Sequence, residues 1–221
     1  MNVFVLTTGR SGSLTFAEAC RHITNYTSGH ETRVGLVGAD RLAYPADHIE
    51  VDNRLAWFPG RLAATYGDEA FYVHLRRDEA ATAASFAKRW NKPAMRAWRK
   101  GILWDVDPGA DRFELALDLV RTMNSNIEHF LGQRSQTMTV DIEAAEPAFR
   151  EFWERIGAEG DLDAAVAQLA VRHHEGTSRR STPRRRDRSG PQSPRGGRGK
   201  GAGRGGRRRP TSWLARLLPG R

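Results

Sequence analysis

The sequence predicts an α/β fold with a P-loop-like parallel sheet flanked by helices, followed by a disordered C-terminal tail. Short apolar runs alternate with longer segments of helical periodicity, which is typical of a parallel sheet covered by helices on both faces. Apolar residues become scarce after residue 175, where Arg, Gly, Pro and Ser take over. We therefore predict an α/β domain over 1–175 and a basic tail over 176–221.

Four short runs predict the strands of the sheet, because each is apolar and bounded by polar or glycine residues. They lie at 2–7, 48–52, 70–75 and 137–142. The segment 27–33 is polar and contains a glycine, so we predict a loop there. Helical patterns cover 14–23, 55–66, 79–90, 98–103, 113–131, 148–156 and 162–171, the second of them interrupted by Pro59 and Gly60.

Charge divides the chain at the same point as composition. Residues 176–221 contain 15 Lys and Arg against one acid, Asp187, whereas residues 1–175 contain 20 Lys and Arg against 25 acids. The folded part is thus mildly acidic, which argues against a basic nucleic-acid-binding domain. The tail itself suits contacts with RNA, DNA or anionic membrane, or it is a solvated extension without a function.

The single cysteine, Cys20, excludes an internal disulfide and a multi-cysteine metal site, and we expect it to be a small buried apolar residue. The first residues lack a positively charged region and reach Gly9 quickly, which favours a strand over a signal peptide. No apolar run approaches the ~20 residues of a membrane span. These features predict a cytoplasmic protein.

The segment VFVLTTGRSGSLTF has the sequence features of a phosphate-binding site. A strand ends, Gly9 and Gly12 allow the backbone to turn at positive φ, and a helix begins near Ser13. Converging backbone N–H groups and the helix N-terminus hold an anion at such a junction. Arg10 adds a bidentate fork, and Ser11 and Ser13 add hydroxyls, although Ser13 could instead cap the helix.

The loop departs from the nucleotide-kinase pattern G-x-x-x-x-G-K-[ST], because it contains no lysine. The kinase lysine and hydroxyl serve a triphosphate and its magnesium. This loop instead suggests a singly charged transferring group and no metal. A metal-dependent phosphotransferase is the disfavoured alternative, and a non-enzymatic binder of nucleic acid or anionic surfaces, acting through the tail, is another.

A second pair of residues follows the strand at 70–75. Arg77 stands at its carboxyl end, and Ser85 comes eight residues later on the next helix. In open α/β sheets ligands bind outside the carboxyl ends of the strands. Arg77 and Ser85 are therefore expected on the same edge of the sheet as the first loop, where they could hold a separate phosphate.

Together the two patterns, T-G-R-S-G-S and R-D-x-x-x-x-x-x-S, resemble the cofactor motifs of the sulfotransferase superfamily, bacterial type. The resemblance implies that the co-substrate is 3′-phosphoadenosine 5′-phosphosulfate, with no metal. It assigns the 3′-phosphate to Arg77 and Ser85 and the phosphosulfate to the first loop, comprising Gly9, Arg10, Ser11, Gly12, Ser13 and Leu14. The acceptor would be a small molecule or a glycan. The family's late basic element is not recognisable here.

Sulfuryl transfer needs a base, and the resemblance places a His or a Glu after the second strand region. Glu31 is the first candidate and His30 the second, because adjacent residues on an extended segment point to opposite sides. Arg10 would stabilise the leaving oxygen. The run HIEVDNRLAWF is a further candidate. Its residues Glu50, Asp52, Asn53, Arg54 and Trp57 either line the acceptor pocket or form an ordinary strand end that caps a helix.

Overall fold

The computed structural model describes residues 1–171, so the predicted tail and its boundary at residue 175 lie outside the described residues. Five parallel strands form one sheet in the order β2-β3-β1-β4-β5. The strands are β1 (Val3–Leu6), β2 (Thr27–His30), β3 (His48–Val51), β4 (Phe71–Arg76) and β5 (Thr137–Asp141). Helices cover both faces of the sheet, which confirms the predicted α/β class.

Strand β2 contradicts the loop predicted over residues 27–33. It has the sequence TSGH, with no apolar residue, and it lies at the edge of the sheet. Its backbone pairs in parallel with β3, for example Ser28 with Ile49. An edge strand buries little side-chain surface, so backbone pairing stabilises it without the apolar pattern that marks a central strand.

The α-helices are α1 (Ser13–Cys20), α2 (Pro59–Tyr66), α3 (Glu79–Ala87), α4 (Pro93–Ala97), α5 (Arg112–Leu131), α6 (Ala145–Arg155) and α7 (Leu162–Leu169). The single helix predicted over 55–66 is instead a 3₁₀ turn, Asn53–Trp57, followed by α2. Pro59 opens α2 because proline has no N–H to donate and its φ suits a first helical turn. A π-helical turn, Trp98–Ile102, extends α4.

Alternate residues of β1 enter two separate cores. Val3 and Val5 pack with α1, α6 and α7 on one face, where the ring of Phe16 contacts those of Phe149 and Phe152. Phe4 and Leu6 face the other core, formed largely by α2 to α5. Burial on both sides explains why β1 is a continuous apolar run.

Cys20 is fully buried, as expected, and burial raises the pKa of its thiol. Within residues 1–171, every helix is too short or too polar to span a bilayer.

Candidate functional site

The loop after β1 turns through three left-handed residues. Gly9, Arg10 and Gly12 have φ of 80°, 62° and 81°. A Cβ on Gly9 would lie 2.5 Å from Nδ2 of Asn53, and one on Gly12 would lie 2.6 Å from Cγ1 of Ile142. Both glycines have the positive φ that the sequence predicted, and a side chain at either position would also meet Asn53 or Ile142.

The two serines of the loop have different surroundings. Ser11 is buried, and its hydroxyl shares a short hydrogen bond with the hydroxyl of Thr7, so the side chain braces the loop from within. Ser13 does not cap α1, because Gly12 occupies the N-cap position. The Oγ of Ser13 lies 3.1 Å from Nε2 of His30 instead.

The side chain of Arg10 reaches the second motif. Its Nε donates a hydrogen bond to Oγ of Ser85 at 3.2 Å, and Nη1 of Arg77 donates to the backbone oxygen of Arg10 at 3.1 Å. Nη1 of Arg89 donates to the same Ser85 hydroxyl at 3.0 Å. Partial burial and then the positive charges of Arg89 and Arg77 lower the pKa of Arg10. The two sequence motifs thus meet at one arginine.

A cavity of about 330 Å³ opens beside this arginine. Four cationic side chains line it, those of Arg10, Arg54, Arg89 and Lys92. The full lining is Gly9, Arg10, Ser13, Leu14, His30, Glu31, Asn53, Arg54, Phe86, Arg89, Lys92, Pro93, Ala94 and Met95. The cavity therefore offers concentrated positive charge at the carboxyl edge of the sheet, which suits an anion.

Not every predicted cofactor residue lines this cavity. Gly9, Arg10, Ser13 and Leu14 do, whereas Ser11, Gly12, Arg77 and Ser85 do not. Arg77 is half-exposed and approaches Oε1 of Glu143 at 3.9 Å. Both Arg77 and Ser85 instead contact Arg10, through the hydrogen bonds given above.

Both candidate bases line the cavity, which corrects the expectation that only one of them would face the site. His30 ends β2, and Glu31 follows it with a φ of 54°, so the segment is no longer extended at Glu31. Oε2 of Glu31 forms an ion pair with Nη1 of Arg54 at 2.7 Å. The left-handed turn brings both side chains to the same side.

Glu50 in β3 and Asp52, which directly follows this strand, have structural roles. Glu50 is fully buried and accepts hydrogen bonds from the backbone N–H and the hydroxyl of Thr32, both at 2.7 Å. Asp52 pairs with buried Arg41 and caps the 3₁₀ turn by accepting from the backbone N–H of Arg54. Burial raises the pKa of Asp52, opposed by those two partners. The strand-end interpretation therefore holds for both acids.

The other residues of that run do face a cavity. Asn53 and Arg54 line the cationic cavity, and Trp57 lines an adjoining one. Sequence reasoning missed Arg89 and Lys92. One signal was present for Arg89, since it lies four residues after Ser85, and a spacing of four places two side chains on the same side of a helical segment.

The fold and the site together define an α/β protein with a glycine-bounded loop after the first strand and a cationic cavity beside it. No protein-family model matches the chain, and no curated protein matches it. Within residues 1–171, the His, Cys, Asp and Glu side chains form no group of three or more placed to hold a metal ion.

Proposed function

We propose that the chain is a sulfotransferase that moves a sulfuryl group from 3′-phosphoadenosine 5′-phosphosulfate to a hydroxyl or amine acceptor. The observation that carries this proposal is the unneutralised charge of the cavity. Within residues 1–171, Arg10, Arg89 and Lys92 form no ion pair with any acid, although all three line one cavity. Clustered cations that repel one another are stabilised when an anion binds between them.

The cationic side chains around the cavity suit the negatively charged phosphate and sulfate groups of the co-substrate. Arg10 and the loop backbone would hold the phosphosulfate, and Arg89 and Lys92 supply further positive charge. By the sequence resemblance, Arg77 and Ser85 would serve the 3′-phosphate. The loop lacks the lysine that cradles a nucleoside triphosphate, which weighs against a kinase-like reaction.

The co-substrate supplies an activated sulfuryl group. Transfer forms a bond between the acceptor oxygen or nitrogen and sulfur, and breaks the bond between sulfur and the bridging oxygen, which keeps the electron pair. The products are the sulfated acceptor and 3′-phosphoadenosine 5′-phosphate. The role of Arg10 is to neutralise the charge that develops on the departing oxygen.

The acceptor proton goes to His30 or Glu31. The ion pair with Arg54 occupies a carboxylate oxygen of Glu31. The partner of His30 is the neutral hydroxyl of Ser13. Both side chains line the cavity, so each has access to a bound acceptor.

Calorimetry of the full chain with 3′-phosphoadenosine 5′-phosphate, compared with ATP and magnesium, tests the proposal. We expect the bisphosphate to bind more tightly. Tighter binding of ATP with magnesium would overturn it in favour of a phosphotransferase, and binding of neither would remove the nucleotide assignment.

Turnover of the co-substrate by His30→Gln and Glu31→Gln then identifies the base. Replacing the true base should lower turnover by on the order of 10²-fold while nucleotide affinity stays unchanged. His129→Gln, at the exposed end of α5, is the matched control.

A further inference from the structure

A second cavity, of about 340 Å³, adjoins the cationic one. Five residues line both cavities, namely Asn53, Arg54, Phe86, Pro93 and Ala94. Its remaining walls come from the 3₁₀ turn, α4, the π-helical turn and α5. A molecule held there would lie directly beside an anion held in the cationic cavity.

The second cavity is apolar except at one wall. Its apolar lining consists of Trp57, Phe86, Pro93, Ala94, Ala97, Trp98, Ile102, Leu119 and Met123. Its polar lining residues are Thr8, Asn53 and Arg54. Asn53 and Arg54 also line the cationic cavity, and Thr8 immediately precedes Gly9 of the anion loop. The polar groups therefore lie where the two cavities meet.

One feature favours a ligand site over a packing defect. Trp98 and Ile102 line this cavity and belong to the π-helical turn, a rare conformation that is frequent at functional sites.

We propose that this cavity binds the acceptor, and that the acceptor is a small alcohol carrying an apolar aromatic ring. The inference rests on the proposed sulfotransferase function for its chemistry, but the binding site itself is independent of it. The ring packs among Trp57, Phe86 and Met123, and the hydroxyl lies at the polar wall beside Arg54. The ion-pair partner of Arg54 is Glu31, which places a candidate base next to that wall.

A sugar suits this cavity poorly. Its hydroxyls project in every direction, and the apolar walls would leave most of them without hydrogen bonds. A volume of about 340 Å³ is at the low end for ligand pockets, which favours one or two rings.

Filling the cavity tests the inference. Ala97 lines the apolar cavity but not the cationic one, and it is exposed at the end of α4, so Ala97→Phe should fold. Ala64→Phe, on an exposed position of α2 that lines neither cavity, is the matched control. Ile102→Trp is a second filling variant at a half-exposed position. The probes are 2-naphthol, glucose and 3′-phosphoadenosine 5′-phosphate, each titrated calorimetrically into the full chain, with thermal melts checking folding.

We expect 2-naphthol to bind the unaltered chain and Ala64→Phe equally, and to bind both filling variants at least tenfold more weakly. The affinity for 3′-phosphoadenosine 5′-phosphate should be the same in all four proteins. The inference is overturned if 2-naphthol does not bind, if filling leaves its affinity unchanged, or if glucose binds instead and is displaced by filling. Loss of bisphosphate affinity on filling would also overturn it, because the cavity would then hold the nucleotide base. Binding of 2-naphthol without any bisphosphate binding supports the cavity and contradicts the sulfotransferase proposal alone.

Discussion

Nε of Arg10 donates a hydrogen bond to Oγ of Ser85 at 3.2 Å, although 75 residues separate them in the chain. The same hydroxyl accepts from Arg89 at 3.0 Å, so one serine holds two guanidinium groups close together. Their mutual repulsion contributes to the lowered pKa of Arg10. Ser85 therefore holds both positive charges close together, which would reduce the reorganisation needed to bind the proposed anion.

Arg10→Ala should weaken binding of 3′-phosphoadenosine 5′-phosphate and lower turnover by on the order of 10²-fold or more, because it removes the donor at the developing charge. Calorimetry and a sulfation assay measure the two effects. Arg150→Ala, which breaks surface ion pairs with Glu146 on α6 and Asp163 on α7, is the control. Unaltered activity in Arg10→Ala would remove the loop from the active site.

Arg77→Ala should erase the preference for adenosine nucleotides that carry a 3′-phosphate over those that lack it, because Arg77 is assigned to that group. The measurement is the ratio of the affinities for 3′-phosphoadenosine 5′-phosphate and adenosine 5′-phosphate. An equal loss of both affinities would instead show that Arg77 acts through its hydrogen bond to the backbone of Arg10.

Arg89→Ala should weaken bisphosphate binding by about tenfold or more, equivalent to ~1.4 kcal/mol, because it removes a charge-assisted donor from the cavity. Its neighbour Lys88 is exposed and does not line the cavity, so Lys88→Ala removes the same charge without the contact. Equal affinities of the two variants would indicate that only the overall charge matters.

His74 should make the fold sensitive to mild acid. Burial, and to a smaller extent Arg76, lower the pKa of His74 to about 4, whereas an unfolded chain binds that proton near pH 6.5. The unfolded state therefore binds more protons between these values. The contribution of His74 to the free energy of unfolding is fully present above pH 6.5. It falls by on the order of 3 kcal/mol as the pH drops to about 4.

Urea unfolding of the native chain and of His74→Gln between pH 7 and pH 4.5 checks this expectation. The variant should lose less stability over that range, because carboxylates contribute equally in both proteins. His129→Gln, at an exposed position, should follow the native chain. Parallel curves for all three proteins would contradict the assignment.

Ending the chain at residue 175 should leave nucleotide affinity unchanged and abolish salt-sensitive binding to RNA or anionic vesicles, since 15 basic residues are removed with one acid. Side-by-side titrations of both lengths measure this. A fall in nucleotide affinity of about tenfold, ~1.4 kcal/mol, would mean that a tail arginine contributes to the site in place of the late basic element that is not recognisable in the sequence.

Burial decides which strands could be predicted. The residues of β1 are all buried, so an apolar run identifies it directly. The residues of β2 are polar and partly exposed, and only pairing with β3, which is distant in sequence, makes them a strand. The turn at Pro59 was visible as an interruption, but whether it ended a helix or began one depended on the packing around it.

Some features of the candidate site could likewise be predicted from the sequence, and others could not. The positive φ of Gly9 and Gly12 could be predicted, because a strand that turns into a helix needs it. The contacts of Ser85 with Arg10 and Arg89 could not be predicted from the sequence. They depend on where α3 lies relative to the loop after β1. The shared orientation of His30 and Glu31 arises from one backbone dihedral that the sequence does not specify.

The parallel sheet also sets the order in which the molecule can be assembled during synthesis. Val3 pairs with Ile49 and Phe71, so the first strand has no neighbour until much later residues have left the ribosome. Ile142, which lies against Gly12 of the loop after β1, is made later still. Long-range pairing of this kind slows folding and leaves apolar segments exposed in the meantime. The nascent chain therefore carries the loop after β1 without its final neighbours through most of translation, and the loop can settle only when most of the described domain has been made.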